Sequence, residues 1–183
     1  MKAIISITLT LLFVQASGQI INFLQFDSSL FVRNDTTFIK ADKKIFNGII
    51  KTKTKSQNEF SYYLNGLRSV DSIFTLSKKL QSVIRYRNNI TTDRFLFDNN
   101  GNKFQEEIYL DTNTKTKQSF WWHPNGQLWK IEMFYNGQKS GKWYEWFQNG
   151  NLLFEGEFKE GEKFGLWRFY NAKTKKIIRQ EKY

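Results

Sequence analysis

The chain has 183 residues, with 28 Lys plus Arg against 17 Asp plus Glu, a formal net charge of +11, one His and no Cys. That inventory excludes a disulfide framework, a Cys–His nucleophile pair, a CxxC zinc site and a multi-His metal site, so no catalytic or metal-ligating residue is assigned and no cofactor is expected. Eighteen Phe, eight Tyr and six Trp against one Pro and two Met favour half-buried pleated strands over helices.

In chain order, residues 1–18 have the three parts of a secretory signal: Lys2, an apolar run over 3–14, and the small residues Ala16, Ser17 and Gly18. Cleavage is expected after Gly18. The apolar run is shorter than the roughly 20 residues a spanning helix needs, which points to a protein secreted or held in the periplasm or cell envelope. Residues 19–94 then read as a β-rich N-terminal segment with degenerate repeats. Within it, strands over 30–33 and 37–40 flank Asn34-Asp35 as a hairpin, 51–58 is a polar loop, and Tyr62-Tyr-Leu-Asn-Gly66 is the relic of a repeat. Residues 70–87 admit a helix, since Ile73, Leu76, Leu80, Val83, Ile84 and Arg87 fit one helical face with Asp71 or Ser72 as cap.

From 95 to 183 the chain repeats. A turn glycine is followed eight residues later by an aromatic at Gly101/Tyr109, Gly126/Phe134 and Gly150/Phe158, and Thr174/Tyr183 is a looser copy. Asn125-Gly126 and Asn149-Gly150, Gly137 and Gly161, Gly141 and Gly165, and Trp143 and Trp167 are each 24 residues apart. A period of that size means stacked supersecondary units. The clearest copy, 142–158, is two alternating strands around Asn149-Gly150, read as a type I′ turn. Counting by two places Leu152, Phe154 and Phe158 on a core face, and Glu155 and Glu157 on the other. The segments 136–141 and 160–165 read as return loops that open and close on glycine. The expected fold is therefore mainly β, a meander of repeated antiparallel hairpins forming an elongated sheet, with the helix at 70–87 as its one exception.

The sequence over 134–152, repeated at 158–170, resembles the MORN-repeat variant of bacterial proteins, and 44–50 resembles the short strand that often opens them. The likeness is good over 95–183 and loose over 31–63. It implies successive hairpins in one sheet; some proteins of this kind are described as antitoxin components, and the wider family is linked to lipid binding and protein scaffolding. Two departures stand out: Ser119 where the later copies have Trp143 and Trp167, and 111–117, rich in Thr, Asn and Lys, in place of a glycine loop.

Chemical motifs do not survive inspection. His123 aligns with Phe147 and reads as a ring in a strand position. Gly137-Gln-Lys-Ser-Gly-Lys142 has one residue too few between its glycines for a phosphate-binding loop, and Trp143 where Ser or Thr should follow. Neighbouring carboxylates such as Glu106 and Glu107 point to opposite faces of a strand. The functional expectation is an exported, non-enzymatic interaction module that binds a protein partner through Tyr144, Trp146, Arg168 and Tyr170, since aromatic and Arg side chains dominate interface hot spots. Its alternative is recognition of envelope glycan or an anionic lipid surface by basic loops and rings. Nucleic acid is not expected for an exported protein, and the last strand leaves an edge suited to pairing two copies.

Overall fold

A computed structural model describes residues 19–22, 30–33, 36–39 and 45–183. The signal reading of 1–18 and the turn at Asn34-Asp35 lie outside the described residues. In chain order the strands are β1 (Gln19–Asn22), β2 (Leu30–Arg33), β3 (Thr36–Ile39), β4 (Gly48–Lys53), β5 (Gln57–Leu64), β6 (Leu67–Thr75), β7 (Leu80–Arg87) and β8 (Ile90–Phe97). They continue as β9 (Lys103–Asp111), β10 (Thr116–Trp122), β11 (Leu128–Tyr135), β12 (Gln138–Lys139), β13 (Gly141–Trp146), β14 (Leu152–Lys159), β15 (Glu162–Tyr170) and β16 (Ile177–Lys182). From β4 to β16 each strand pairs antiparallel with its predecessor, except that β12 and β13 both pair with β11. β1 adds in parallel to β4, completing a 14-stranded sheet, and β2 pairs with β3 as a separate hairpin. The mainly β meander is thus the fold, and it runs unbroken from β4 to the last strand.

No helix occurs among the described residues, which corrects the reading of 70–87. That stretch is the end of β6, a turn and all of β7. The turn closes with Lys78 N–H on the Thr75 carbonyl at 3.0 Å and Lys78 at φ 64°. The apolar spacing that looked helical belongs to two strands, whose β-branched Val70, Ile73, Val83 and Ile84 each find a partner across the sheet. The polar stretch 51–58 is likewise mostly strand, reversed by a short turn in which Thr54 N–H bonds the Gln57 carbonyl at 2.9 Å.

The hairpin tips differ at the two ends of the strands. Asn136-Gly137 has positive φ at both residues, 51° and 76°, as Asn65-Gly66 and Glu160-Gly161 do. These are two-residue type I′ turns, so the supposed return loops are tight hairpins. At Asn149-Gly150 only the glycine is left-handed, at φ 81°. Gly150 N–H bonds the Phe147 carbonyl, and Phe147 N–H bonds that of Asn151, both at 2.8 Å. This is a three-residue loop ending in a glycine bulge, not the type I′ turn expected there. Asn149 is freed to tie hairpins together: its amide donates to the Ala172 carbonyl at 3.1 Å, as Asn125 donates to Gln148 at 2.8 Å.

One face carries the core. A continuous row of cross-strand partners runs Ile50, Ser61, Asp71, Ile84, Arg94, Glu107, Ser119 and Glu132. Beyond β11 it resumes as Trp143, Gly156 and Trp167. Trp143, Phe158 and Trp167 form the buried cluster, with Phe134, Phe154 and Phe169 packed against it. A Cβ at Gly156 would stand 2.2 Å from the Trp167 ring, so the indole lies directly on the bare strand. Both indoles are anchored alike, donating at 3.1 Å to the carbonyls of Met133 and Glu157.

Candidate binding surfaces

The opposite face holds the expected site residues, and the structure brings all four together. Glu155 of β14 lies directly between Tyr144 of β13 and Arg168 of β15. Its Oε1 accepts from Arg168 Nη1 at 3.1 Å and from the Tyr170 hydroxyl at 2.7 Å. Tyr144 stacks on Trp146, with ring centroids 5.8 Å apart and planes 25° apart. Each of these five side chains is half-buried. Burial and the hydrogen bond to Glu155 hold the Tyr170 phenol above its ordinary range. Sequence reasoning placed Glu155 on the face away from the core and gave it no partner; its role as the hub was legible only from the register that aligns β13, β14 and β15. A shallow groove of about 200 Å³ runs past Lys142, Tyr144, Glu155, Leu166 and Arg168.

A larger cleft, about 600 Å³, opens on the core face near the type I′ tips, and sequence reasoning did not single it out. Arg94, Lys115 and Lys117 supply its charge, while Ile84, Tyr109 and Phe134 supply apolar wall. Beside it is Glu107, which is buried and receives hydrogen bonds from Lys117 and from the Tyr109 hydroxyl. Burial pushes this carboxyl up, but those bonds and the charges of Lys117 and Arg94 outweigh it and leave it below the usual carboxylate range. Burial, then the bond to Glu107, pushes Tyr109 up. Arg94 stands 3.9 Å from Glu107, an ion-pair distance beyond hydrogen-bond reach.

His123 sits at a hairpin tip, where Nε2 lies 2.9 Å from the Trp146 carbonyl and the ring lies 5.7 Å from that of Trp129. Among the described residues no group of three or more His, Asp or Glu side chains is placed to hold a metal ion.

No protein-family model matches the chain, and no curated protein matches it. Among solved structures, the GtfA/B complex bound to UDP and GlcNAc is similar at 8% identity and a TM-score of 0.25, over 67% of this chain and 22% of that one. At that TM-score the likeness bears on neither fold nor activity.

Proposed function

We propose that the chain is a non-enzymatic interaction module, exported through the signal at 1–18, that binds a protein partner on the β13–β15 face. The observation that carries this reading is the half-exposed Tyr144–Trp146 stack beside the Arg168–Glu155–Tyr170 cluster. Glu155 holds Arg168 and Tyr170, and Tyr144 stacks on Trp146, so docking would immobilise little that is not already in contact. Aromatic rings and an Arg whose charge is balanced within the site suit a partly desolvated protein interface. Toxin neutralisation is the version of this activity that the MORN-variant resemblance implies. Pairing of two copies along β16, whose Ile177 and Ile178 are exposed, belongs to the same proposal.

The test is affinity capture from an envelope extract with the 19–183 protein, at low and high salt, beside a Tyr144→Ala/Trp146→Ala variant. A discrete protein retained at high salt and lost with the variant supports the module. Capture of glycan or lipid that vanishes at high salt replaces it with the basic-surface alternative, because lysine contacts to anions are screened. Light scattering over a concentration series tests the edge, and an invariant monomer mass rejects pairing.

A further inference from the structure

The groove and the cleft differ in how their linings balance charge. The groove past Tyr144 is lined by two cations, Lys142 and Arg168, and by two carboxylates, Glu155 and Glu157. The cleft on the core face is lined by three cations, Arg94, Lys115 and Lys117, and by no carboxylate. Lys117 is already committed: it pairs with Tyr109 on one side and Phe134 on the other, lies 5.4 Å over the Phe134 ring and donates to the buried Glu107. Arg94 stands 3.9 Å from Glu107, outside hydrogen-bond reach of that carboxyl. Lys115 is exposed on the β9–β10 turn. The carboxylate at the start of that turn, Asp111, is taken up by the backbone N–H groups of Asn113 and Thr114, at 2.8 and 3.4 Å.

Glu107 shows what this surplus does to an acid group. Burial opposes its charge, yet the bonds from Lys117 and Tyr109 and the charges of Lys117 and Arg94 keep it ionised below the ordinary carboxylate range. A second carboxylate entering the cleft meets Arg94 and Lys115 with no acid of the lining to oppose it. The remaining walls are largely apolar, from Ile84 and the rings of Tyr109 and Phe134, a surface that a bare inorganic anion leaves unused.

We propose that this cleft binds a carboxylate carried on a small apolar body, the acid group meeting Arg94 and Lys115 and the body lying against Ile84, Tyr109 and Phe134. The guanidinium fork matches both oxygens of a carboxylate, and the turn lysine adds a second, mobile charge. The volume of about 600 Å³ falls within the roughly 300–1,000 Å³ usual for small-molecule sites. This site stands on the face opposite Tyr144 and does not depend on the protein-binding proposal. Such an acid has two sources, a free short-chain acid or the C-terminal residue of a polypeptide.

Titration of the 19–183 protein, followed by NMR, uses isocaproate, the tripeptide acetyl-Ala-Ala-Leu with a free C-terminus, neutral isocaproamide and acetate. Saturable binding of one or both larger acids is expected, with shifts confined to the surroundings of Ile84, Tyr109 and Phe134. The amide should bind at least about tenfold more weakly, because it loses the charge-assisted bonds, and acetate should bind more weakly because it has no body to bury. Tighter binding of isocaproate assigns a free acid, and tighter binding of the tripeptide assigns a chain end. Arg94→Gln should weaken the acid by about tenfold. Lys115→Asn, which keeps a residue tolerant of the φ of 49° there, should weaken it less. If Arg94→Gln does not fold, Lys115→Asn and the amide decide. The proposal is overturned if neither larger acid saturates, if shifts spread over the surface lysines instead, if the amide or acetate binds as tightly as the larger acids, or if every folded variant binds like the wild type.

Discussion

The same central row is built from different chemistry in the two halves of the sheet. Toward the C-terminus it is Trp143, Gly156 and Trp167, apolar surface closing over bare backbone. Toward the N-terminus it is Ser61, Asp71, Glu107, Ser119 and Glu132, each under a tenth exposed. The polar half holds because its groups are matched. Asp71 accepts from Arg68 Nε at 2.7 Å and from the Tyr86 hydroxyl at 2.5 Å, and Arg68 also reaches Glu59 at 2.6 Å and Ser61 at 2.9 Å. Glu132 accepts from Trp121 Nε1 at 2.7 Å and Lys130 at 2.9 Å. Among the described residues no buried side-chain nitrogen or oxygen lacks a partner. One backbone ladder therefore accommodates either a dry aromatic stack or a wired polar line, provided that no buried polar group is orphaned. The cleft on the core face opens beside the polar line, with Ile84 and Arg94 of the row among its walls.

The comparison breaks if the aromatic half is not the stronger. Trp167→Ala should cost about 3–5 kcal/mol in denaturant unfolding, because it empties the space over Gly156 and strips Phe158 and Phe154 of a neighbour. Gly156→Ala should cost about 2–3 kcal/mol by expelling the indole, a large effect for one added methyl. Asp71→Ala should cost about 2 kcal/mol. This is less than a fully buried pair would lose, since the Arg68 side chain is 35% exposed and recovers water. A loss equal to that of Trp167→Ala would show the two halves to be energetically alike.

Acid and alkali probe the polar half through two of its groups, Glu107 and Tyr86. The Glu107 carboxyl is held below its ordinary value in the fold. Its contribution is present above the unfolded-state value of about 4.3 and lost as pH falls through the lower folded value. Melting temperature should therefore fall more steeply below about pH 4.5 in the wild type than in Glu107→Gln. Burial, then the bond to Asp71, pushes the Tyr86 phenol well above its range. That contribution is present below about pH 10 and lost as pH rises toward the folded value, a limb that Tyr86→Phe should flatten. The smallest effect belongs to the tips: Asn149→Ala, which removes the amide bond to Ala172, should cost about 0.5–1.5 kcal/mol.

The readings that failed did so for physical reasons that particular residues show. Ile73, Leu76, Leu80, Val83 and Ile84 match a helical period only because a turn without glycine, asparagine or proline interrupts the count. The partners of Glu107 and Glu132 were not legible, because only the pairing of β9, β10 and β11 brings Lys117 to Glu107 and Trp121 to Glu132. That Tyr144, Trp146, Arg168 and Tyr170 share one face was legible by alternation along β13 and β15, whereas Glu155 as their hub was not.

The sequence by itself determined the strand class, the 24-residue repeat, the tips at Asn125-Gly126 and Asn149-Gly150 and the ring-bearing face of β14. These follow from local rules of turn residues, pleat alternation and self-similarity. Only the tertiary structure decided which polar residues are buried, which strands share the buried row, and where the cleft between Tyr109 and Phe134 opens. Each of those depends on a neighbour one strand away, and cross-strand register joins residues that chain order keeps apart.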